Sequence, residues 1–273
     1  KARRLDALDL VLRGTPYEAF HRAHSLRENT GGAFDAHNLV TLSRYPFGEV
    51  RQVLHAYVPP IAYRFVSIPE QDSEVEIRWE RPLLLTAFEL PGRGLVHVIN
   101  LHLRAPLASP VPGAKLSALA WRDTSSWAEG YYVAEMKRSG QALEARLLAD
   151  TILDRDRQAA IIVCGDFNAE VNDTPLQILL ASPEDTGNAD LAWRALVPLG
   201  GHETNERQFT MVLAGRKIML DHILASARLS LACRSVTIDN DALLDAAERE
   251  DIGSLRPGSH HAPVVAEFDL GAG

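Results

Sequence analysis

Apolar positions fall in short runs along most of this chain, each closed by turn residues, and only a few stretches repeat at helical spacing. Near the start, Leu5, Leu8, Val11 and Leu12 recur every three or four residues up to Gly14-Thr15-Pro16, which predicts a short amphipathic helix. Residues 26–37 (LRENTGGAFDAH) are polar and turn-rich and read as a loop. NLVTLSRYP reads as a strand stopped at Pro46, and residues 52–58 and 61–68 as two more strands around Pro59-Pro60. RPLLLTAFEL (81–90) and LVHVINLHL (95–103) flank Pro91-Gly92-Arg93-Gly94 and predict a hairpin.

Residues 105–114 hold three prolines and one glycine, which predicts a loop. The aromatic segment 117–140, with Trp121, Trp127, Tyr131 and Tyr132, is expected to pack as a long insertion leading into a helix over 141–153. A strand over 160–164 follows, then a helix near 174–181 that opens on Thr174-Pro175, and strands over 218–226 and 263–270. Many strands with few helices, and no repeat or linker, predict one α+β domain over residues 1–273.

Composition narrows the partners. With 28 basic against 36 acidic residues the formal net charge is −8, so no global basic field is available to grip a nucleic-acid backbone. At 46% hydrophobic residues the chain can bury a sizeable core. The two cysteines, Cys164 and Cys233, form no C-x-x-C pair and no disulfide framework. No stretch is long and apolar enough for a transmembrane helix. Asp6 and Asp9 interrupt the first apolar segment, which reads as amphipathic and not as a secretory signal. A cytoplasmic monomer is the default expectation, with secretion left open.

The candidate chemistry sits where strands end. Asn100-Leu-His102, Asp166-Phe-Asn168, Asp221-His222 and Ser259-His260-His261 each place hydrogen-bonding or ionisable side chains beside an apolar run. Each alone has a plainer reading. Asp166 and Asn168 can cap a turn, His102 can be a satisfied core histidine, and His260-His261 can be an exposed pair. Asp221, between Leu220 and Ile223, is costly to bury unless it is paired.

Taken in order, N-L-H, G-D-F-N, L-D-H-I-L and S-H-H-A-P-V-V, with LSRYPF at 42–47, resemble the endonuclease/exonuclease/phosphatase superfamily. This group includes deoxyribonuclease I, apurinic endonucleases, neutral sphingomyelinases and inositol polyphosphate 5-phosphatases. The resemblance implies a four-layered α/β sandwich, two mixed β-sheets flanked by helices, and divalent-metal-dependent phosphoester hydrolysis with Mg²⁺ or Mn²⁺. It implies that Asp166 activates or positions water, that Asp221 pairs with His261, and that His102 contacts a phosphate oxygen or leaving group. Asn168 would hold phosphate or metal, Asn100 and Arg81 would line the substrate site, and Asp166, Asn168 and His260 would be metal ligands. Arg138 and Gln141 are weaker candidates for the rim.

Two departures accompany the resemblance. The family's first strands carry an Asn and then a Gln-Glu pair whose Glu binds metal, whereas Lys1 begins what resembles the following helix. An N-terminal portion is therefore expected to be missing. The closing Ser-Asp-His motif is here Ser259-His260-His261, so both departures fall on the metal site. A small-molecule or lipid phosphoester is expected over nucleic acid. The alternatives are a weakened member that binds a phosphorylated ligand or protein partner, and a nuclease proper.

Overall fold

The computed structural model describes residues 5–27, 31–34, 37–68, 73–200, 207–247 and 259–271. The chain opens with α1 (Asp6–Leu12), β1 (His21–His24), β2 (Val40–Ser43) and β3 (Phe47–Val53). Next come β4 (Ile61–Tyr63), β5 (Val75–Ile77), β6 (Leu83–Leu90), β7 (Gly94–His102) and α2 (Thr124–Arg155). The second half contains β8 (Ala160–Asp166), α3 (Thr174–Leu180), α4 (Pro183–Thr186), β9 (Leu196–Pro198), β10 (Met211–Leu213) and β11 (Arg216–Ile218). It ends with β12 (Asp221–Ser226), α5 (Ala227–Ser230), β13 (Cys233–Ile238) and β14 (Val264–Phe268).

The central sheet has six strands in the order β3-β6-β7-β8-β12-β9. It is mixed: β7 and β8 run parallel, and the other neighbours are antiparallel. One face carries Leu85, Ile99, Leu101, Ile161, Val163 and Leu224, and packs against Ala142, Ala145, Leu148, Ala149 and Ile152 of α2 and Leu176 and Leu179 of α3. Each of these large side chains contributes about 1.5–3 kcal/mol when fully buried. On the opposite face the antiparallel pairs β1–β2 and β13–β14 form the second strand layer. Ala23 packs with Leu39, Leu84 and Phe47, while Val236, Ala266 and Phe268 pack with Ala225 and Ile162. A mixed six-stranded sheet backed by antiparallel pairs, where two mixed sheets were expected, and flanked by helices makes this a DNase I-like α/β sandwich.

The hairpin β6–β7 forms as its sequence predicts, pairing Leu90 with Gly94 and Leu84 with Asn100. Four local expectations are corrected. The region expected as an insertion over 117–140 is helical from Thr124, because Asp123 caps the helix by accepting from the Ser126 N–H at 2.7 Å. Gly140 does not break it: a Cβ there would meet the Trp79 ring at 2.4 Å, so the glycine makes room for the indole. The strand expected over 52–58 ends at Val53. His55 then turns to φ 55°, and the N–H groups of His55, Ala56 and Tyr57 converge on the Glu144 carboxylate at 3.1, 2.7 and 3.1 Å.

The strand expected over 61–68 keeps only Ile61–Tyr63, since Glu129 draws in the N–H groups of Val66 and Ser67. The single strand expected over 218–226 is two, β11 and β12, because the Thr210 hydroxyl accepts from Leu220 N and Asp221 N at 3.0 and 3.1 Å. The loop expected over 26–37 lies partly outside the described residues. Among the described residues, no helix is long and apolar enough to cross a membrane.

Candidate active site

Three neighbouring strands bring the site together by register. His102 closes β7 opposite Asp166 of the parallel β8, and Asp166 lies opposite Asp221, the first residue of antiparallel β12. One row of the sheet therefore holds an imidazole and two carboxylates. Gly165 permits this close approach: it sits at φ +139°, and a Cβ there would lie 1.9 Å from the Leu101 carbonyl oxygen.

Asp166 is only 17% exposed at its side chain, and both of its oxygens already accept hydrogen bonds, with acceptor capacity left on Oδ1. Oδ1 accepts from the Asn168 backbone N–H at 2.8 Å, while Oδ2 lies 3.2 Å from His102 Nε2 and from Asn168 Nδ2. Burial alone would raise the Asp166 carboxyl. The His102 hydrogen bond and charge, the Asn168 N–H and the His261 charge outweigh it and hold the carboxyl below the usual carboxylate range. Asn168 adopts φ 47°, a left-handed conformation that Asn tolerates, and its Nδ2 also donates to the Leu103 carbonyl at 3.0 Å. That leaves Asn168 Oδ1 without a protein partner among the described residues.

His261 reaches the row from the loop before β14. Its Nδ1 donates to Asp221 Oδ2 at 2.7 Å, and the backbone N–H of His261 is held by the Ser259 hydroxyl at 2.9 Å. The hydrogen bond to Asp221 raises the imidazole above its ordinary value. Burial opposes this, and the charges of Asp221 and Asp166 add to it. Asp166, Asp221 and His261 each offer one ligand atom, and these atoms lie within 4.8 Å of one another. The carboxylate oxygens, with the Asn168 Oδ1, are hard donors that suit Mg²⁺ or Mn²⁺. The residues present therefore fit a divalent cation.

Other expected site residues stand elsewhere. Asn100 turns its amide to the Val40 carbonyl at 3.1 Å, which ties β7 to β2. His260 is exposed and lies outside the two-carboxylate, one-imidazole group. His222 is buried away from the row, 2.9 Å from the Ala169 carbonyl and edge-on to Phe167, and burial lowers its imidazole. Arg81 lies beside the row: its Nη1 donates at 2.9 Å to the same Leu103 carbonyl that holds Asn168.

Sequence reasoning overlooked His37, whose ring packs edge-on against His102 at 4.9 Å. A lone histidine in a polar loop carries no signal for that contact. It undervalued Arg138 and Gln141. Arg138 is buried on α2 and donates to the Asn168 carbonyl at 2.7 Å, pinning the turn from behind. Gln141 donates to the Arg81 carbonyl at 3.2 Å and accepts from the Arg104 N–H at 2.9 Å.

A DNase I-like sandwich with an imidazole and two carboxylates in a row at its strand ends, and a second imidazole brought to them by a loop, defines a recognisable class of protein. The sequence model of the Endonuclease/Exonuclease/phosphatase family matches residues 2–259, and the chain belongs to that family. No individual curated protein matches it. Among solved structures, an endonuclease/exonuclease/phosphatase family protein of Bacteroides thetaiotaomicron is 14% identical with a TM-score of 0.56, over 98% of this chain and 79% of that one. A mannosyl-6-phosphatase of Bacteroides thetaiotaomicron is 12% identical with a TM-score of 0.56, over 97% and 82%. A 3′-5′ exonuclease of Neisseria meningitidis is 18% identical with a TM-score of 0.52, over 97% and 94%. At such identities the likeness is one of fold.

Proposed function

We propose that the protein is a divalent-cation-dependent phosphoester hydrolase whose centre is the His102–Asp166–Asp221 row closed by His261. The observation that carries this reading is the 2.7 Å Asp221–His261 bond standing beside an ionised Asp166. Asp166 and Asp221, with Asn168 Oδ1, would hold the cation. Bound there, it would supply Lewis-acid polarisation of a phosphoryl oxygen.

The chain's own groups divide the remaining work. Asp166 stays ionised and orients the attacking water by accepting its hydrogen bond. Asp221 fixes the Nδ1–H tautomer of His261 and favours its charged form, so Nε2–H points a positive dipole toward the phosphoryl group. Negative charge that builds in the transition state meets donors already in place. His102 presents a second imidazole to a phosphate oxygen or the leaving group. Membership of a family whose structural neighbours include a mannosyl-6-phosphatase and a 3′-5′ exonuclease supports phosphoester chemistry without choosing the substrate.

Bis-p-nitrophenyl phosphate tests the reading. Hydrolysis is expected with Mg²⁺ or Mn²⁺, with loss on EDTA and a fall of about 10²–10⁴ in kcat for His261→Ala. Absence of any cation-dependent hydrolysis overturns it. A second reading, a weakened member that binds a phosphorylated ligand, is favoured by the exposure of His260 where the family places an aspartate. His260→Asp then raises activity sharply at limiting cation, whereas an unchanged rate removes this second reading.

A further inference from the structure

Beside the catalytic row lie two arginines, Arg81 and Arg104, that form no direct ion pair with a carboxylate among the described residues. Arg81 is anchored on the Leu103 carbonyl at 2.9 Å, the acceptor it shares with Asn168, so its guanidinium borders the Asp166–Asn168 turn directly. Arg104 is the next residue after Leu103. Its side chain makes no hydrogen bond or ion pair among the described residues, and its Nε is buried without a partner. Gln141 clamps both backbones, donating to the Arg81 carbonyl and accepting from the Arg104 N–H.

The surrounding charges are already committed. Glu80 is taken by Lys137 at 2.7 Å, and Glu135 by Arg138 at 3.1 Å. Two half-buried guanidinium groups on neighbouring backbones repel each other: burial, followed by the Arg104 charge, lowers Arg81 below the usual arginine value, and the charges of Asp166 and Glu80 only partly offset this. Such a pair is costly to keep in place unless an anion settles between its members. A planar guanidinium offers paired N–H donors that match phosphate oxygens.

We propose that Arg81 and Arg104 form a subsite for a second phosphoryl group, so that the substrate is a small molecule carrying one phosphate beside the one that is cleaved. The proposal rests on the phosphoester reading for the position of the scissile group. A small molecule is favoured over a strand because the neighbouring cations on α2 are already paired. Lys137 and Arg138 of α2 are held by Glu80 and Glu135, whereas a nucleic-acid backbone draws on a longer run of free cations.

Titration calorimetry with pyrophosphate and orthophosphate, in EDTA so that no cation contributes, tests the subsite without requiring catalysis. Pyrophosphate is expected to bind at least about tenfold more tightly than orthophosphate, the gain of one good charged contact. Arg104→Met retains the aliphatic packing and removes the orphaned Nε, so the fold is expected to survive, and it should abolish the preference. Arg104→Lys should restore part of it. Equal binding of the two anions, or an unchanged ratio in Arg104→Met, overturns the proposal. Tighter binding of a ten-residue oligothymidylate than of adenosine 3′,5′-bisphosphate overturns it as well. If pyrophosphate is preferred but bis-p-nitrophenyl phosphate is never hydrolysed, the hydrolase reading fails while the subsite stands.

Discussion

Glu144 is 0% exposed in the middle of α2, and its carboxylate collects four donors. Oε1 accepts from Ala56 N and Tyr57 N at 2.7 and 3.1 Å, and Oε2 from His55 N and the Trp79 indole at 3.1 and 3.2 Å. Glu144→Gln keeps the shape and one acceptor oxygen but turns the other into an NH₂ facing two N–H donors. Each buried donor left without an acceptor costs about 1–3 kcal/mol, so two predict a loss of about 2–6 kcal/mol. Domains have about 5–15 kcal/mol in all, so this loss is a large share of the total. Urea unfolding followed by tryptophan fluorescence measures it, with the m-value expected to stay constant while the midpoint falls. Glu76→Gln, in an exposed pair with Arg78, serves as the control and should change stability by no more than about 0.5 kcal/mol. A Glu144→Gln loss below about 1 kcal/mol refutes the idea that this carboxylate holds the 54–58 turn against the helix.

Other perturbations probe the site and its supports. Gly165→Ala drives a methyl into the Leu101 carbonyl, 1.9 Å from the ideal Cβ, and should cost about 3 kcal/mol or more by parting β7 from β8, read as a lowered thermal midpoint. Asp221→Asn removes the charge that stabilises the His261 imidazolium, and kcat on bis-p-nitrophenyl phosphate should fall at least about tenfold with little change in thermal midpoint; an unaltered kcat rejects the pairing role. Glu129 has its carboxyl held below the ordinary 4.5: burial works the other way and is outweighed by the Ser67 hydroxyl, the Val66 and Ser67 N–H groups and the Tyr63 hydroxyl. Its contribution to stability is full above pH 4.5 and is lost as pH falls through the lowered folded value. Below pH 4.5 the wild type should therefore lose stability more steeply than Glu129→Gln, and parallel profiles would contradict this.

Much of the strand framework was legible because its cues are local. LLLTAFEL and LVHVINLHL around Pro91-Gly92 could form little but a hairpin, and the G-D-F-N turn announced itself by an apolar run ending at glycine. The long helix was not legible. Its inner side carries Glu129, Arg138, Gln141 and Glu144, all buried, so the apolar 3.6-residue pattern is broken between Glu129 and Glu144. Those polar residues are buried to catch loop N–H groups and carbonyls from far along the chain, such as Ala56, Val66 and Asn168. Strand β13 was missed for a related reason: none of its six residues CRSVTI is fully buried, and they follow a four-residue helix.

The residue types of the site, and the strand ends that carry them, were determined by the amino-acid order alone. Which of them meet was decided only in three dimensions. Ladder register sets His102, Asp166 and Asp221 in one row, and a loop remote in sequence returns His261 to Asp221. The same tertiary placement turns Asn100 to β2, leaves His260 in solvent and sets His37 against His102. Strand propensity is a property of a few neighbouring residues, whereas register and long-range hydrogen bonds depend on the packing of the whole sandwich.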